Sequence, residues 1–175
     1  MKKDNWILKV LLFTFIITLL VSGVSNYIAS NTNIIALIII TVIITIIGIL
    51  FDMIGTSVLT AKESNFHSMA SYKVKGSKIG IKLIKNRSNI ASFCNDVIGD
   101  ICGIISGLMG AMIGIYLANY LKINSTISTM IIASLLSSIT IGGKALGKKI
   151  AINKSDKILL FISIILTKLS FKKEK

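Results

Sequence analysis

The chain has 175 residues, 53% of them apolar, no proline, and a net charge of +13 although only 15% of residues are charged. Its mean hydropathy of +0.82 excludes an ordinary soluble domain. The charge is gathered between apolar blocks, as in a membrane protein, and nothing interleaves basic residues with aromatics as a nucleic-acid-binding surface would.

The length allows about four membrane spans and little else. Residues 1–9 form a basic tail carrying Lys2, Lys3 and Lys9, with Trp6 placed as an interfacial anchor. The first apolar block covers 10–29. A cleavable signal peptide is the rival reading, but the block is long for one and no small-x-small site follows. Asn31-Thr32-Asn33 interrupts the apolar pattern. Ile34–Phe51 is then almost unbroken and far too long for a buried strand, so a second span is expected over 34–57. Asp52, Gly55, Thr56 and Ser57 lie at its end.

Residues 62–89 are polar and basic, and Gly76 divides them into two helix-sized pieces. The second piece places Ile79, Leu83 and Ile84 towards one face, flanked by Lys78, Lys82 and Lys85. That pattern predicts a short amphipathic helix on the anionic inner leaflet. A third span follows over 90–121 and opens with Asn95, Asp96 and Asp100. A fourth covers 128–143 and carries Ser134, Ser137, Ser138 and Thr140, so one side of it must face protein or a polar cavity. Within 155–175, the apolar stretch Ile158–Leu166 is too short to cross and reads as an interfacial helix before a basic tail.

The fold class expected is therefore an all-α membrane protein. It has about four transmembrane helices, a cytoplasmic juxtamembrane helix pair and a C-terminal interfacial helix. Of the 20 Lys and Arg residues, all but Lys122 fall in the N-terminal tail, the loop after the second span or the C-terminal segment. Four spans place all three on one side, which the positive-inside bias assigns to the cytoplasm of a cell (plasma) membrane. The Lys-, Ile- and Asn-rich composition points to a low-GC bacterium.

In helical projection, Asn95, Asp96, Gly99, Asp100, Gly103 and Gly107 fall within an arc of about 140°. Gly99, Gly103 and Gly107 form an i, i+4 ridge, and Gly110 and Gly114 add a second, as close helix packing requires. Carboxylates at membrane depth are costly and need a partner, an ion or water. Asp52 enters from the same side as Asp96 and Asp100, so the three could converge; the alternative is that Asp96 and Asp100 sit in the cytoplasmic headgroup region and pair with lysines. With Asn95, Ser57 or Thr56 the three carboxylates would give the all-oxygen set that Mg²⁺ prefers. Cys94 and Cys102 suit apolar packing in a reduced compartment, and His67 a surface position. No Ser/His/Asp set or phosphate-binding glycine loop is present.

From Phe51 to Ala151 the chain resembles the transmembrane domain of the CorC/CorB and cyclin-M (CNNM) family of Mg²⁺ transporters. Phe51-Asp52-Met53-Ile54-Gly55-Thr56-Ser57-Val58-Leu59-Thr60-Ala61 is similar to the family's F-x-S-x-S-E-T-A-L-T-S. Lys75-Gly76-Ser77-Lys78 with Ile81–Asn86 resembles its juxtamembrane E-G-x-x-x-A-x-x-L-L. Cys94-Asn95-Asp96-Val97-Ile98-Gly99 resembles G-N-N-x-V-N, and Gly143–Ala151 echoes G-E-x-L-P-K-x-I-A. The resemblance implies a core over 34–154, a homodimer, and ion ligands at Asn95, Asp96, Gly99 and Gly143. Asp52, Ser57 and Asp100 are added from this chain's own residues. The family's Ser and Glu are Gly55 and Thr56 here, its last motif Asn is Gly99, its Glu is Lys144 and its Pro is Gly147. The chain stops where the family's nucleotide-binding cystathionine-β-synthase pair would begin, so no nucleotide is expected.

The function expected is that of a Mg²⁺ or divalent-cation transporter-like membrane protein, not an enzyme. A non-transporting scaffold or regulator on the same fold is the alternative. A remote third is an intramembrane aspartyl protease, from a partial likeness of Phe51-Asp52 and Gly99-Asp100 to paired aspartates with G-x-G-D; Val97 stands at the first glycine position.

Overall fold

A computed structural model describes residues 4–31 and 33–171. Every element among them is helical: α1 (Asp4–Asn31), α2 (Ile34–Thr60), α3 (Glu63–Ser71), α4 (Ser77–Lys85), α5 (Arg87–Ser92), a π-helical turn (Phe93–Ile98), α6 (Gly99–Leu121), α7 (Ser125–Asn153) and α8 (Ser155–Phe171). The side chain of Trp6, and Lys2, Lys3, Lys172, Lys173 and Lys175, lie outside the described residues.

Three stretches are long and apolar enough to cross a membrane: Ile34–Thr60, Arg87–Leu121 and Ser125–Asn153. At 1.5 Å per residue, α2 is roughly 40 Å long, more than the hydrocarbon thickness. Within α1 the apolar helical stretch described is the shorter Leu11–Leu20. The exposed surfaces of α1, α2 and α7 carry residues such as Phe15, Ile35 and Ile131. Apolar faces of that extent suit lipid rather than water.

The described residues fall into two compact units, Met1–Ile49 with Val97–Gly143, and Leu50–Asp96 with Lys144–Lys175. In the first, α1 packs along α6, and Leu37 of α2 joins Val97, Ile101, Ile105, Met109 and Ile113 in the core. The α6/α7 contact depends on small residues. A Cβ on Gly114 would stand 2.6 Å from the Thr129 Cα, and the Ser128 hydroxyl donates to the Gly114 carbonyl at 2.7 Å. Gly110 receives the Leu136 side chain. The expected glycine ridge is thus used only in part. Gly110 and Gly114 pack, whereas a Cβ on Gly103 or Gly107 would meet nothing within 4 Å. Gly99 lies near Gly48, whose Cβ would approach the Gly99 carbonyl oxygen at 3.7 Å.

The second unit is built around Phe66, which is fully buried with Val58, Ala61, Ile84 and Leu159. Helix α4 packs against both α3 and α8. Its buried residues, Ser77, Gly80 and Ile84, share one side, and Gly80 admits the Phe66 ring. The amphipathic face expected to rest on lipid is therefore covered in part by protein, while Lys78, Lys82 and Lys85 remain exposed. No side chain of its own caps α3. Asp156 of α8 does that work, accepting from the Lys62 amide at 3.0 Å and from Asn65 Nδ2 at 2.6 Å. A carboxylate is favoured at a helix N-terminus, where amide groups lack partners.

Three substitutions test these contacts. Gly114→Ala forces a methyl against backbone and should cost about 1–3 kcal/mol. Gly110→Ala meets only a flexible leucine end and should cost less. Thermal unfolding of both variants in detergent checks the order. Asp156→Ala removes the cap of α3 and should cost about 0.5–2 kcal/mol in the same measurement.

Candidate cation site

The expected ligands divide between the two units. Asp52, Ser57, Asn95 and Asp96 belong to the second, and Gly99, Asp100 and Gly143 to the first. Among the described residues no group of three or more His, Cys, Asp or Glu side chains could hold a metal ion. Asp52 and Asp96 share the second unit, whereas Asp100 belongs to the first. Asp96 and Asp100 are both exposed, whereas Asp52 is buried.

The backbone at Asn95 and Asp96 also departs from the ideal helix. The projection that placed Asn95, Asp96 and Asp100 in one arc assumed 100° per residue. The chain instead makes a π-turn over Phe93–Ile98, which contains both Asn95 and Asp96. A π-turn adds a residue to the helical circuit and rotates the helix before it relative to the helix after it. Asn95 is turned onto α2, and Asp96 outwards.

Gly55 receives Asn95. A Cβ at position 55 would collide with Asn95 Oδ1 and Cγ. Gly55 is thus a notch in α2 filled by the asparagine amide. Asn95 Oδ1 is buried there with no hydrogen-bond partner. Cys94 also presses on the notch, its Cβ 3.1 Å from where a Gly55 Cβ would lie.

Asp52 lies one turn before Gly55 on the same side of α2, about 60° away in projection. It is 3% exposed, and its Oδ2 likewise has no hydrogen-bond partner. The charge facing it is Lys148 of α7, with Nζ 3.6 Å from Oδ2. That distance permits ion pairing but is beyond a good hydrogen bond. Ser57 is fully buried, donates to the Met53 carbonyl at 2.8 Å, and points about 140° away from Asp52 around the helix. Thr56 donates to the backbone carbonyl of Asp52 at 2.8 Å.

An open cleft of about 280 Å³ adjoins this region, lined by Leu59, Ser88, Ala91, Ser92, Asn95 and Asp96. Four of those six residues carry side-chain oxygen. Asn95 belongs to both features: it lines the cleft, and its Oδ1 is buried against α2. The arrangement offers oxygen acceptors, the Asp52 and Asp96 carboxylates and the Lys148 ammonium. Lys148 and the two serines were missed at the sequence level. Lys148 reads there as one of several basic residues after the last long apolar run.

Gly143 lies against Ile49, whose Cδ1 would block a Cβ. The remaining chemistry-bearing residues lie elsewhere. Cys94 and Cys102 are buried free thiols, as apolar packing requires, and His67 is exposed, 3.4 Å from Glu63.

Comparison of the chain with protein-family models, with curated proteins and with solved structures finds no match.

Gly55 and Asn95 should behave as one element. Gly55→Ala displaces the asparagine amide and destabilises the protein, whereas in a background of Asn95→Ala the same change should cost much less. Non-additivity of roughly 0.5–3 kcal/mol is expected for residues in contact. A double-mutant cycle by thermal unfolding reads it, and strictly additive effects would rule the notch out.

Proposed function

We propose that this chain is an integral membrane protein that binds and carries a hard divalent cation, Mg²⁺ first, through the Asp52 carboxylate and the Asn95 amide oxygen. The observation carrying this reading is the pair of buried acceptors without a hydrogen-bond partner, Asp52 Oδ2 and Asn95 Oδ1. Buried polar atoms without partners are rare, and each calls for an explanation. Two such oxygens around Gly55, one bearing a charge, suit an ion that takes oxygen ligands and keeps part of its water shell. The likeness of the surrounding stretches to the CorC/CorB and cyclin-M family supports the same cargo. In this proposal α1 supplies a fourth span, both termini face the cytoplasm, and the chain works as a homodimer in a bacterial plasma membrane. Asp96, in the same unit as Asp52 and Asn95, then belongs to the wider ion path.

A second reading has its own observation. Lys148 already faces Asp52. A lysine in that place supports a non-transporting scaffold in which the pair joins α2 to α7 and no ion enters.

The two readings predict opposite effects of one substitution. If a cation competes with Lys148, Lys148→Gln tightens Mg²⁺ binding and Asp52→Asn abolishes it. Binding to the folded state raises stability by about 2.7 kcal/mol at a hundred times Kd. Each kcal/mol raises Tm by about 2–4 °C for a chain of this size. Thermal unfolding of wild type and both variants in Mg²⁺ titrations decides. Failure of Mg²⁺ to shift either wild type or Lys148→Gln overturns the cation reading. If both substitutions then merely lower Tm, the scaffold stands.

A further inference from the structure

A second cleft, in the same unit but formed by other residues, is not used by the cation reading. It has a volume of about 570 Å³, within the range of small-molecule sites, and is lined by Lys73, Lys75, Lys78 and Lys82 together with Ser77 and Thr167. No Asp or Glu lines it. Among the described residues none of the four lysines makes an ion pair. Like charges gathered without a counter-charge repel one another, so the arrangement favours an anion.

The backbone contributes in the same sense. Helix α4 begins at this cleft, with Gly76 as its N-cap at φ 87° and no side-chain cap. The Ser77 amide donates to the Val74 carbonyl and the Gly80 amide to that of Gly76. The amides of Lys78 and Ile79, in the first turn, have no intrahelical acceptor. The Ser77 and Thr167 hydroxyls are already donated to the carbonyls of Val74 and Ser163. The donors left for a ligand are thus ammonium groups and helix-terminal amides, the set that holds phosphate oxygens. Lys73 is held in a left-handed conformation, φ 55°, which a lysine seldom adopts.

We propose that this cleft binds a phosphate-bearing anion, independently of any cation at Asp52. The phosphate is that of an anionic lipid headgroup or of a soluble phosphate compound, and the test separates the two. Either source makes α4 a discrete phosphate receptor, where the sequence pattern suggested only diffuse attraction to the membrane.

The test uses the full chain in phosphatidylcholine-containing micelles, followed by thermal unfolding. One arm titrates phosphatidylglycerol, the other inorganic pyrophosphate. Wild type is compared with a variant carrying Lys73→Gln, Lys75→Gln, Lys78→Gln and Lys82→Gln. The control, equal in charge, carries Lys85→Gln, Arg87→Gln, Lys154→Gln and Lys157→Gln. A saturable rise in Tm is expected. The half-saturating concentration should increase roughly tenfold or more in the cleft variant and hardly change in the control. Response to phosphatidylglycerol alone assigns the lipid; response to pyrophosphate assigns a soluble ligand. No saturable response to either probe, or equal weakening in both variants, overturns the proposal. Should the cleft variant not fold, amine acetylation of the wild type decides instead. The effective probe must protect Lys73, Lys75, Lys78 and Lys82 while leaving Lys154 reactive, and uniform reactivity overturns the proposal.

Discussion

Asp52 is the one charged residue on α2, a helix of 27 residues that is otherwise apolar or hydroxylic, and it is almost fully buried. Taking a carboxylate out of water costs several kcal/mol unless another charge or an ion answers it. The geometry around it follows from that demand. Lys148 brings a long side chain from α7 to within 3.6 Å. Gly55, one turn on, leaves room for the Asn95 amide. The chain between α5 and α6 widens into a π-turn at that asparagine. An uncharged side chain at 148 would leave Asp52 without the ammonium that now faces it.

Much of the architecture was legible in the sequence. The Ile34–Phe51 run lies inside α2, and Gly76 separates α3 from α4 as its conformational freedom suggests. These features are local, since apolar run length and a left-handed glycine do not depend on distant residues. The packing of α4 was not legible. Its apolar pattern is equally suited to a lipid surface and to a protein groove, and only Phe66 and Leu159, from outside the segment, decide that protein covers part of it.

The candidate site was legible in its ingredients and not in its assembly. Asp52 and Asn95 stand out as costly polar residues beside apolar runs. Asn95 and Asp96 lie in a widened turn, which no residue type announces, and only the structure shows the Asn95 amide filling the space beside Gly55. Lys148 stays hidden among neighbouring lysines because charge counts report a side of the membrane, not a contact. The glycines show the same limit. Five of them suggest a packing ridge on α6, yet Gly103 and Gly107 meet nothing, while Gly114 is pressed against Thr129.

The hydroxyl groups of the long helices bond inward. Thr41, Thr45, Thr56, Ser57, Thr60, Ser138 and Thr140 each donate to the carbonyl four residues back. Such bonds hide a polar group within its own helix and tend to bend it. They also tie that helix to no neighbour. Among the described Ser and Thr hydroxyls, that of Ser128 alone reaches another membrane-length helix, at Gly114. Register between α6 and α7 is thus set at one end by a single hydroxyl and a glycine notch. From there to Gly143, no described serine or threonine of α7 reaches α6, so a side chain at position 114 would break the single hydroxyl link between the two helices as well as their closest approach.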